Sequence, residues 1–464
     1  MVFSSLVFIC IFLPAVFICY TVIPWKMVKN WILIVTSLLF YAYGEPVYVF
    51  LMIGSTIVNY LFGLLVSSGR FRRCKLGAAV AVNLLLLGVF KYAGMAVETV
   101  NQLTGAGFPV PQIVLPVGIS FFTFQAMSYV IDAYRGQVEA QKSYWKVLLY
   151  ISFFPQLIAG PIVKYYDIAL EIDNRKQIHG EVAEGFRRFV IGLAKKVLIS
   201  NTVAVAADAV FAMPLSRVNI LSAWIGALAY LFQIYYDFSG YSDMAIGLGK
   251  MFGFHFKENF HYPYVARSIQ DFWRRWHMSL SGWFKEYLYI PLGGNRKGKA
   301  RTCINKMLVF FCTGLWHGAS WTFVIWGLYH GLFLLVESFL PKGKKLPAAL
   351  GHIYALLVVT VGFVLFRADT LIQGLTVIRA MFAGFSFQQE MMTAAVQLLN
   401  PLFLFMMGAG VLCAVPWKEW LETKGRRVQP LVEGFSYPVT LALLIVCILS
   451  LSGGTYNPFI YFRF

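Results

Sequence analysis

Two histidines forty residues apart, His277 and His317, are the side chains of this sequence best suited to chemistry. Each stands in a dense aromatic stretch: Gln270-Asp271-Phe272-Trp273-Arg274-Arg275-Trp276-His277, and Thr313-Gly314-Leu315-Trp316-His317-Gly318-Ala319-Ser320-Trp321. Imidazole titrates nearest neutrality among the side chains, so it can take or give a proton at working pH. In so apolar a chain an ionisable group at membrane depth is expensive and is a functional candidate by default. The plain alternative is a pair of structural histidines bonded to backbone carbonyls. The other histidines carry less. His330 follows His317 by thirteen residues, which is about 220° round a helix at about 100° per residue, so the two do not share a face. His179, His255, His261 and His352 read as ordinary polar contacts.

The elements that must position these residues are membrane helices. Of 464 residues, 59% are hydrophobic and 13% charged, where a soluble domain carries roughly 25% charged residues. Mean hydropathy is +0.68. The net charge of +18 then fits basic cytoplasmic loops and anionic lipid headgroups, and no nucleic-acid partner is expected. The seven cysteines are odd in number, lie mostly in apolar runs and form no C-x-x-C, so they read as packing residues and not as a disulfide or metal framework. Residues 1–23 lack a basic leader and a clear cleavage site, and are expected to stay as a first helix.

Apolar segments fall at 3–23, 29–43, 46–67, 76–96, 113–133, 145–163, 186–207, 219–248, 303–316, 320–340, 351–367, 398–416 and 435–452. At ~20 residues per crossing they give about 11–13 membrane helices, some re-entrant, and 29–43 and 303–316 are too short to span alone. The fold class is an all-α polytopic membrane protein, one domain over 1–464 without a soluble appendage. Arg70, Arg72, Arg73 and Lys75 mark a cytoplasmic loop, and 97–112, with Glu98 and no Lys or Arg, an external one. The stretch 267–306 holds nine Lys or Arg against Asp271 and Glu286 and faces the cytoplasm; the basic loops around Lys342–Lys345 and Lys418–Arg427 read the same way.

Within it, 267–300 mixes Trp, Arg, His, Phe and Tyr without a clean apolar span and ends in Pro291-Leu292-Gly293-Gly294, a turn signal. This suits an interfacial or re-entrant helix. Arg274, Arg275 and Arg296 are either cations that receive a phosphorylated donor or a membrane-surface anchor. Asp237 and Asp243 interrupt the run 219–248 and must face protein or water. They line a tunnel, or they form a buried network with Tyr235, Ser239 or Ser242, the reading preferred here because buried polar groups find partners.

Three motifs resemble the membrane-bound O-acyltransferase family: Ser268-Ile269-Gln270-Asp271-Phe272-Trp273-Arg274-Arg275-Trp276-His277, Tyr287-Leu288-Tyr289-Ile290-Pro291-Leu292-Gly293-Gly294, and Leu315-Trp316-His317-Gly318. Others resemble its bacterial alginate O-acetyltransferase branch: Met1-Val2-Phe3-Ser4-Ser5, Gly118-Ile119-Ser120-Phe121-Phe122-Thr123-Phe124-Gln125, Phe154-Pro155-Gln156-Leu157-Ile158-Ala159-Gly160-Pro161, and Tyr236-Asp237-Phe238-Ser239-Gly240-Tyr241-Ser242-Asp243. The resemblance implies a multi-helix bundle around a central tunnel. It implies that His317 is the essential histidine and His277 the second active-site position. His317, neutral in a desolvated pocket, would take the proton of a hydroxyl as it attacks a thioester carbonyl. His277 would orient the acceptor or polarise the carbonyl.

The tail Tyr456-Asn457-Pro458-Phe459-Ile460-Tyr461-Phe462-Arg463-Phe464 resembles an aromatic motif of bacterial members and their small partners, in which the tyrosine carries the acyl group; by itself it is equally an interfacial belt. The resemblance thus implies acetyl-coenzyme A as donor substrate with no tightly bound cofactor and no metal. It implies an exported polysaccharide as acceptor, an extracytoplasmic acetyltransferase or esterase-like partner, and residence in the bacterial inner membrane. A transporter or exporter of a polysaccharide precursor is the alternative from another class. It would predict inverted repeats and charge-lined unwound helices, and no repeat is visible. No H-E-x-x-H, G-x-S-x-G, P-loop or G-x-G-x-x-G occurs.

Overall fold

The computed structural model describes residues 1–158, 160–340, 346–417, 419–420, 429–454, 456–457 and 459–460, with the side chains of 429–433 excepted. Among them every regular element is helical. The chain forms two compact units, Met1–Phe189 with Ser242–Lys257, and Val190–Tyr241 with Glu258–Phe464.

The first unit carries α1 (Leu13–Val22), α2 (Lys26–Ala42), α3 (Tyr48–Ser67) and α4 (Arg72–Leu87). A π turn then leads into α5 (Ala93–Thr104), followed by α6 (Ile119–Arg135), α7 (Tyr144–Ser152), α8 (Phe154–Leu157), α9 (Tyr165–Asn174) and most of α10 (His179–Ala194). Its centre is phenylalanine: the Phe8 ring lies 5.0–6.2 Å from those of Phe3, Phe12, Phe40 and Phe154, the spacing of favourable ring pairs. The segment 145–163, read above as one span, is broken. Pro155 has no N–H to give and its ring clashes with the preceding turn, so α7 stops at Ser152 and the chain restarts as the short α8. Helix α6 is buried along Ile119–Ala133 and flanked by Gly118 and Gly136 in the left-handed region, at φ 76° and 70°. A Cβ at Gly118 would meet the Leu157 carbonyl at 2.8 Å, so glycine serves both the backbone turn and the close approach.

The second unit carries α11 (Asn201–Phe211), the first two-thirds of α12 (Ile220–Met251), α13 (Ile269–Arg275), α14 (Met278–Phe284), α15 (Gly298–His317) and α16 (Trp321–Phe339). After them come α17 (Ala348–Arg367), α18 (Leu371–Ala383), α19 (Gln389–Gln397), α20 (Pro401–Cys413) and α21 (Gln429–Gly453). Helices α15 and α16 form a tight hairpin. Gly327 has the Phe310 carbonyl and, 3.2 Å from where a Cβ would stand, the Gly314 Cα against it. Small residues at such a crossing let two backbones approach without lipid-like side chains between them. The hairpin turn is capped by Ser320, whose hydroxyl accepts the Thr322 N–H at 3.3 Å. His317 is therefore delivered at the end of α15, against α16.

All thirteen apolar segments contain helix. Among the described residues six helices pass alone on length and composition, or seven if α19 and α20, bent by 62°, count as one span, beside the about 11–13 membrane helices, some re-entrant, expected from sequence. The rest fall short because they are brief, like α2 with 17 residues, or because polar groups are built into them, as Gln233, Asp237 and Asp243 are into α12.

Candidate functional site

Helix α13 starts on three acceptors. The Ser268 hydroxyl takes the Asp271 N–H at 3.0 Å, and the Glu337 carboxylate takes the N–H groups of Ile269 and Gln270 at 2.5 and 2.9 Å. This satisfies the exposed donors of the first turn with a side-chain cap and a carboxylate. The helix fixes Trp273 and Arg274 and then ends: Trp276 is extended, and His277 adopts the left-handed region at φ 44°, ψ 52°. A non-glycine residue there is strained by ~1–3 kcal/mol unless its surroundings impose it. They do. The His261 N–H bonds the Arg275 carbonyl and the Met278 N–H the Asn259 carbonyl, both at 2.9 Å, so the segment 259–261 holds the break open.

The break turns His277 inward. It is 1% exposed and His317 6%, and their ring centroids lie 6.4 Å apart. His277 packs edge-on to Phe238 at 4.6 Å and lies 5.9 Å from Trp316. Its Nδ1 stands 3.2 Å from Asn259 Oδ1. Burial pushes its pKa down to about 3, so the imidazole is neutral at working pH. His317 meets Trp326 and Phe366, each at 5.1 Å. With Ile234, Phe238, Trp276, Phe363 and Ile460 these three line a cavity of about 10 Å³, room for one water-sized group.

A second cavity, of about 260 Å³, is lined by Trp273, whose ring is 5.8 Å from that of Trp326. Its walls are Trp273, Leu280, Phe284, Val309, Phe310 and Leu334, and its cations are Arg274, Lys285 and Lys306. Among the described residues none of these three has an ion pair or hydrogen bond, and no carboxylate lines the cavity. Of the three arginines singled out from sequence, only Arg274 reaches it. Arg275 bonds Asp271 at 3.0 Å one turn back, and Arg296 is exposed in the Gly293–Gly294 turn.

The C-terminal tail returns to the same unit. Tyr456 bonds Asp208, Asn457 bonds Asn201 at 3.1 Å, and the Ile460 N–H bonds Asp237 at 2.8 Å. Ile460 thereby borders the His317 cavity; Tyr461 lies outside the described residues. Asp237 also pairs with Lys196 at 2.8 Å, the two being 1% and 2% exposed. The partners expected for Asp237 were Tyr235, Ser239 or Ser242. Residues two apart on a helix do not face each other, and the carboxylate finds Lys196 of the π turn after α10 and the tail instead. Asp243 pairs with Arg188 at 2.8 Å.

Four other histidines find ordinary contacts or stay peripheral: His255 with Glu171, His261 with Glu419, His352 with the Ala266 carbonyl, and His179 at the start of α10. His330, on α16, is packed among rings. Trp273, Trp326 and Tyr329 enclose it at 5.2–5.3 Å, and among the described residues neither ring nitrogen has a hydrogen-bond partner. Sequence reasoning missed Asn259, Lys196, Lys285 and Lys306. Lys196 had a signal, a cation inside the apolar run 186–207; Asn259 had none. Among the described residues no three of His, Cys, Asp and Glu are grouped as a metal site, and all seven cysteines are unpaired.

A helical, multi-pass membrane protein with two buried imidazoles and an amphipathic cavity has the parts of a membrane group-transfer enzyme. Residues 117–368, which contain both histidines, match the model of MBOAT, the membrane-bound O-acyltransferase family. The chain belongs to that family and is a membrane O-acyltransferase. It is 39% identical to a probable alginate O-acetylase of Pseudomonas putida, over 100% of both chains. It is 37% identical to a peptidoglycan O-acetyltransferase of Helicobacter pylori, over 82% of this chain and 80% of that one. A teichoic acid D-alanyltransferase of Bacillus subtilis matches at 29% over 56% of this chain and 69% of its own length.

Proposed function

We propose that the protein moves an acetyl group from acetyl-coenzyme A in the cytoplasm, across the bacterial inner membrane, for O-acetylation of an extracytoplasmic polysaccharide, together with an extracytoplasmic acetyltransferase or esterase-like partner. The observation that carries this is the pair of buried imidazoles, 6.4 Å apart, in a unit that also holds a cavity whose three cations have no ion pair or hydrogen bond among the described residues. The relatives act on alginate and on peptidoglycan by name, which supports a glycan acceptor.

In this reading His317 is the general base. It takes the acceptor hydroxyl proton while the oxygen forms a bond to the acetyl carbon. The C–S bond breaks, and the coenzyme A thiolate leaves with the proton then held on the imidazole. His277 sits with the acceptor. Arg274 receives donor phosphate, helped by Lys285 and Lys306, since cations hold phosphate through charge-assisted hydrogen bonds; Arg275 and Arg296 would act at the approach to it. No tightly bound cofactor is needed. Tyr461 is the relay. Its phenol takes the acetyl group first, and the resulting phenyl ester, with a leaving group near pKa 10, stays reactive toward a second hydroxyl on the outer side. The seating of Ile460 at the His317 cavity supports this.

The test is polymer O-acetyl content in a deletion strain, with and without the gene restored. Restoration by the native chain and not by His317→Ala is expected; near-normal acetylation by a well-expressed His317→Ala chain overturns the mechanism. Full acetylation with Tyr461→Phe, which keeps the ring and removes only the hydroxyl, leaves direct transfer at His317.

A further inference from the structure

Two roles were open for His277: to hold the acceptor hydroxyl or to polarise the donor carbonyl. The first needs a ring nitrogen that accepts a proton, the second one that donates. The tautomer decides, and the hydrogen bond made by the other nitrogen sets the tautomer. That bond goes to Asn259. An asparagine amide can be turned either way, so the identity of the atom at 3.2 Å must be established first. The Ser279 backbone N–H points at the same atom from 3.1 Å. A backbone N–H can only donate, so the Asn259 atom is the carbonyl oxygen. The Ser279 hydroxyl donates to it as well, at 2.8 Å. The competing arrangement has a bare His277 Nδ1 bonded to the Ser279 hydroxyl at 3.5 Å. It would set the Nδ1 lone pair against those of the Asn259 oxygen 3.2 Å away, which is repulsive.

We infer that Asn259 is a positioning residue of the active site, holding His277 as the Nδ1–H tautomer so that Nε2 carries the lone pair and accepts a hydrogen bond from the acceptor hydroxyl. The inference rests on the reading of His277 as an active-site residue. It excludes carbonyl polarisation by His277, because its single N–H is committed to Asn259. The same amide explains the local backbone. Asn259 takes the Met278 N–H on its main-chain oxygen and the Ser279 N–H on its side chain, the first-turn donors of α14. One residue therefore sets both the left-handed turn and the ring's protonation. The hydroxyl's one proton then points to His277 Nε2 on binding, and the O–H turns to His317, which removes it as the oxygen attacks.

The tautomer can be read without activity. Full-length protein with ¹⁵N-labelled histidine, in lipid nanodiscs, is compared with His277→Ala to assign the His277 ring. The expected result is a protonated Nδ1 and a pyridine-like Nε2. A protonated Nε2 with a bare Nδ1 overturns the inference whether or not the chain proves to be an acetyltransferase. Kinetics supply the second arm. Asn259→Leu should lower kcat with donor KM unchanged, by at most the ~10⁴-fold that a wrong tautomer costs in a serine-protease triad. Asn259→Asp keeps the acceptor oxygen and should restore most of the rate. In a His277→Ala background Asn259→Leu should cost nothing further, since residues acting as a unit are non-additive; an additional loss equal to that in the native background means Asn259 acts only on the fold. If Asn259→Leu does not fold, the native spectrum still decides.

Discussion

The ring clusters around Phe8 in the first unit and around Trp326 in the second are of different kinds. Around Phe8 the first unit packs phenylalanine on phenylalanine, groups that ask for no polar partner. Its histidine His255 stays at the surface, between the carboxylates of Glu171 and Glu181. Around Trp326 the second unit packs indoles on imidazoles: Trp273, His317 and His330 all lie within 5.8 Å of its ring. Among the described residues the N–H groups of Trp273 and Trp326 have no hydrogen-bond partner. Each such buried group costs ~1–3 kcal/mol, and phenylalanine would avoid the cost. A region that keeps polar rings at this expense is arranged for something other than stability, as the placement of chemistry at locally unfavourable sites predicts.

The comparison breaks first on activity. His317→Ala should lower acetyl transfer by ~10²–10⁴-fold, the worth of one general base, while the membrane-inserted protein keeps its thermal unfolding temperature. If transfer and unfolding temperature fall together, the second unit's rings are core after all. Phe154→Ala should do the reverse. Truncating a buried phenylalanine costs ~3–5 kcal/mol of stability, so unfolding shifts, while whatever folded protein remains turns over at the native rate with the native donor KM. Asp237 tests the second unit's own architecture. Removing one partner of a buried pair costs ~3–5 kcal/mol because the other charge is left bare, whereas Lys196→Met with Asp237→Leu together should be close to neutral for folding. The double variant loses the acceptor for the Ile460 N–H. Transfer to polymer should therefore fall more than folding does if the tail must be seated.

A smaller effect separates the cavity from the catalytic pair. Each charge-assisted hydrogen bond to phosphate is worth ~1.5–3 kcal/mol, so Arg274→Ala or Lys306→Ala should raise donor KM about tenfold or more with kcat little changed, the pattern of uniform binding. Arg296→Ala, exposed and outside the cavity, should raise it less. Equal KM values in all three variants would return these cations to a membrane-surface role.

What the sequence disclosed follows the reach of its signals. Every segment that hydropathy marked contains helix, because apolar runs are local, while α9, α13, α14, α18 and α19 lie outside the marked runs. Fewer of the marked runs pass as crossings on length and composition alone, because Pro155 cuts one run and Gln233, Asp237 and Asp243 lower the hydropathy of another. His277 and His317 were legible from their type and setting. Their 6.4 Å approach was not, since it depends on a left-handed residue between α13 and α14 and on two glycines where α15 crosses α16. Asn259 was invisible for the same reason: its meaning is a distance to a residue eighteen positions on.

The least of the effects returns to His255, the first unit's counterpart to the buried histidines. Burial alone would lower its pKa. The hydrogen bonds and charges of Glu171, at 2.7 Å, and Glu181, at 3.3 Å, outweigh this and raise it above the ordinary value. A histidine whose pKa is raised by folding lends stability that is fully present below its unfolded pKa, near 6.5, and is lost as pH climbs through the folded value. The first unit should thus unfold at a slightly higher temperature at pH 6 than at pH 8. The ring is 47% exposed, so solvent screening holds the contribution to the ~0–1 kcal/mol of a surface pair. His255→Gln should flatten that part of the pH dependence and leave acetyl transfer as it was. A pH dependence of unfolding unchanged by the substitution would place the titrating group elsewhere, and a loss of transfer would mean that the histidines of the two units do not divide into clasp and chemistry.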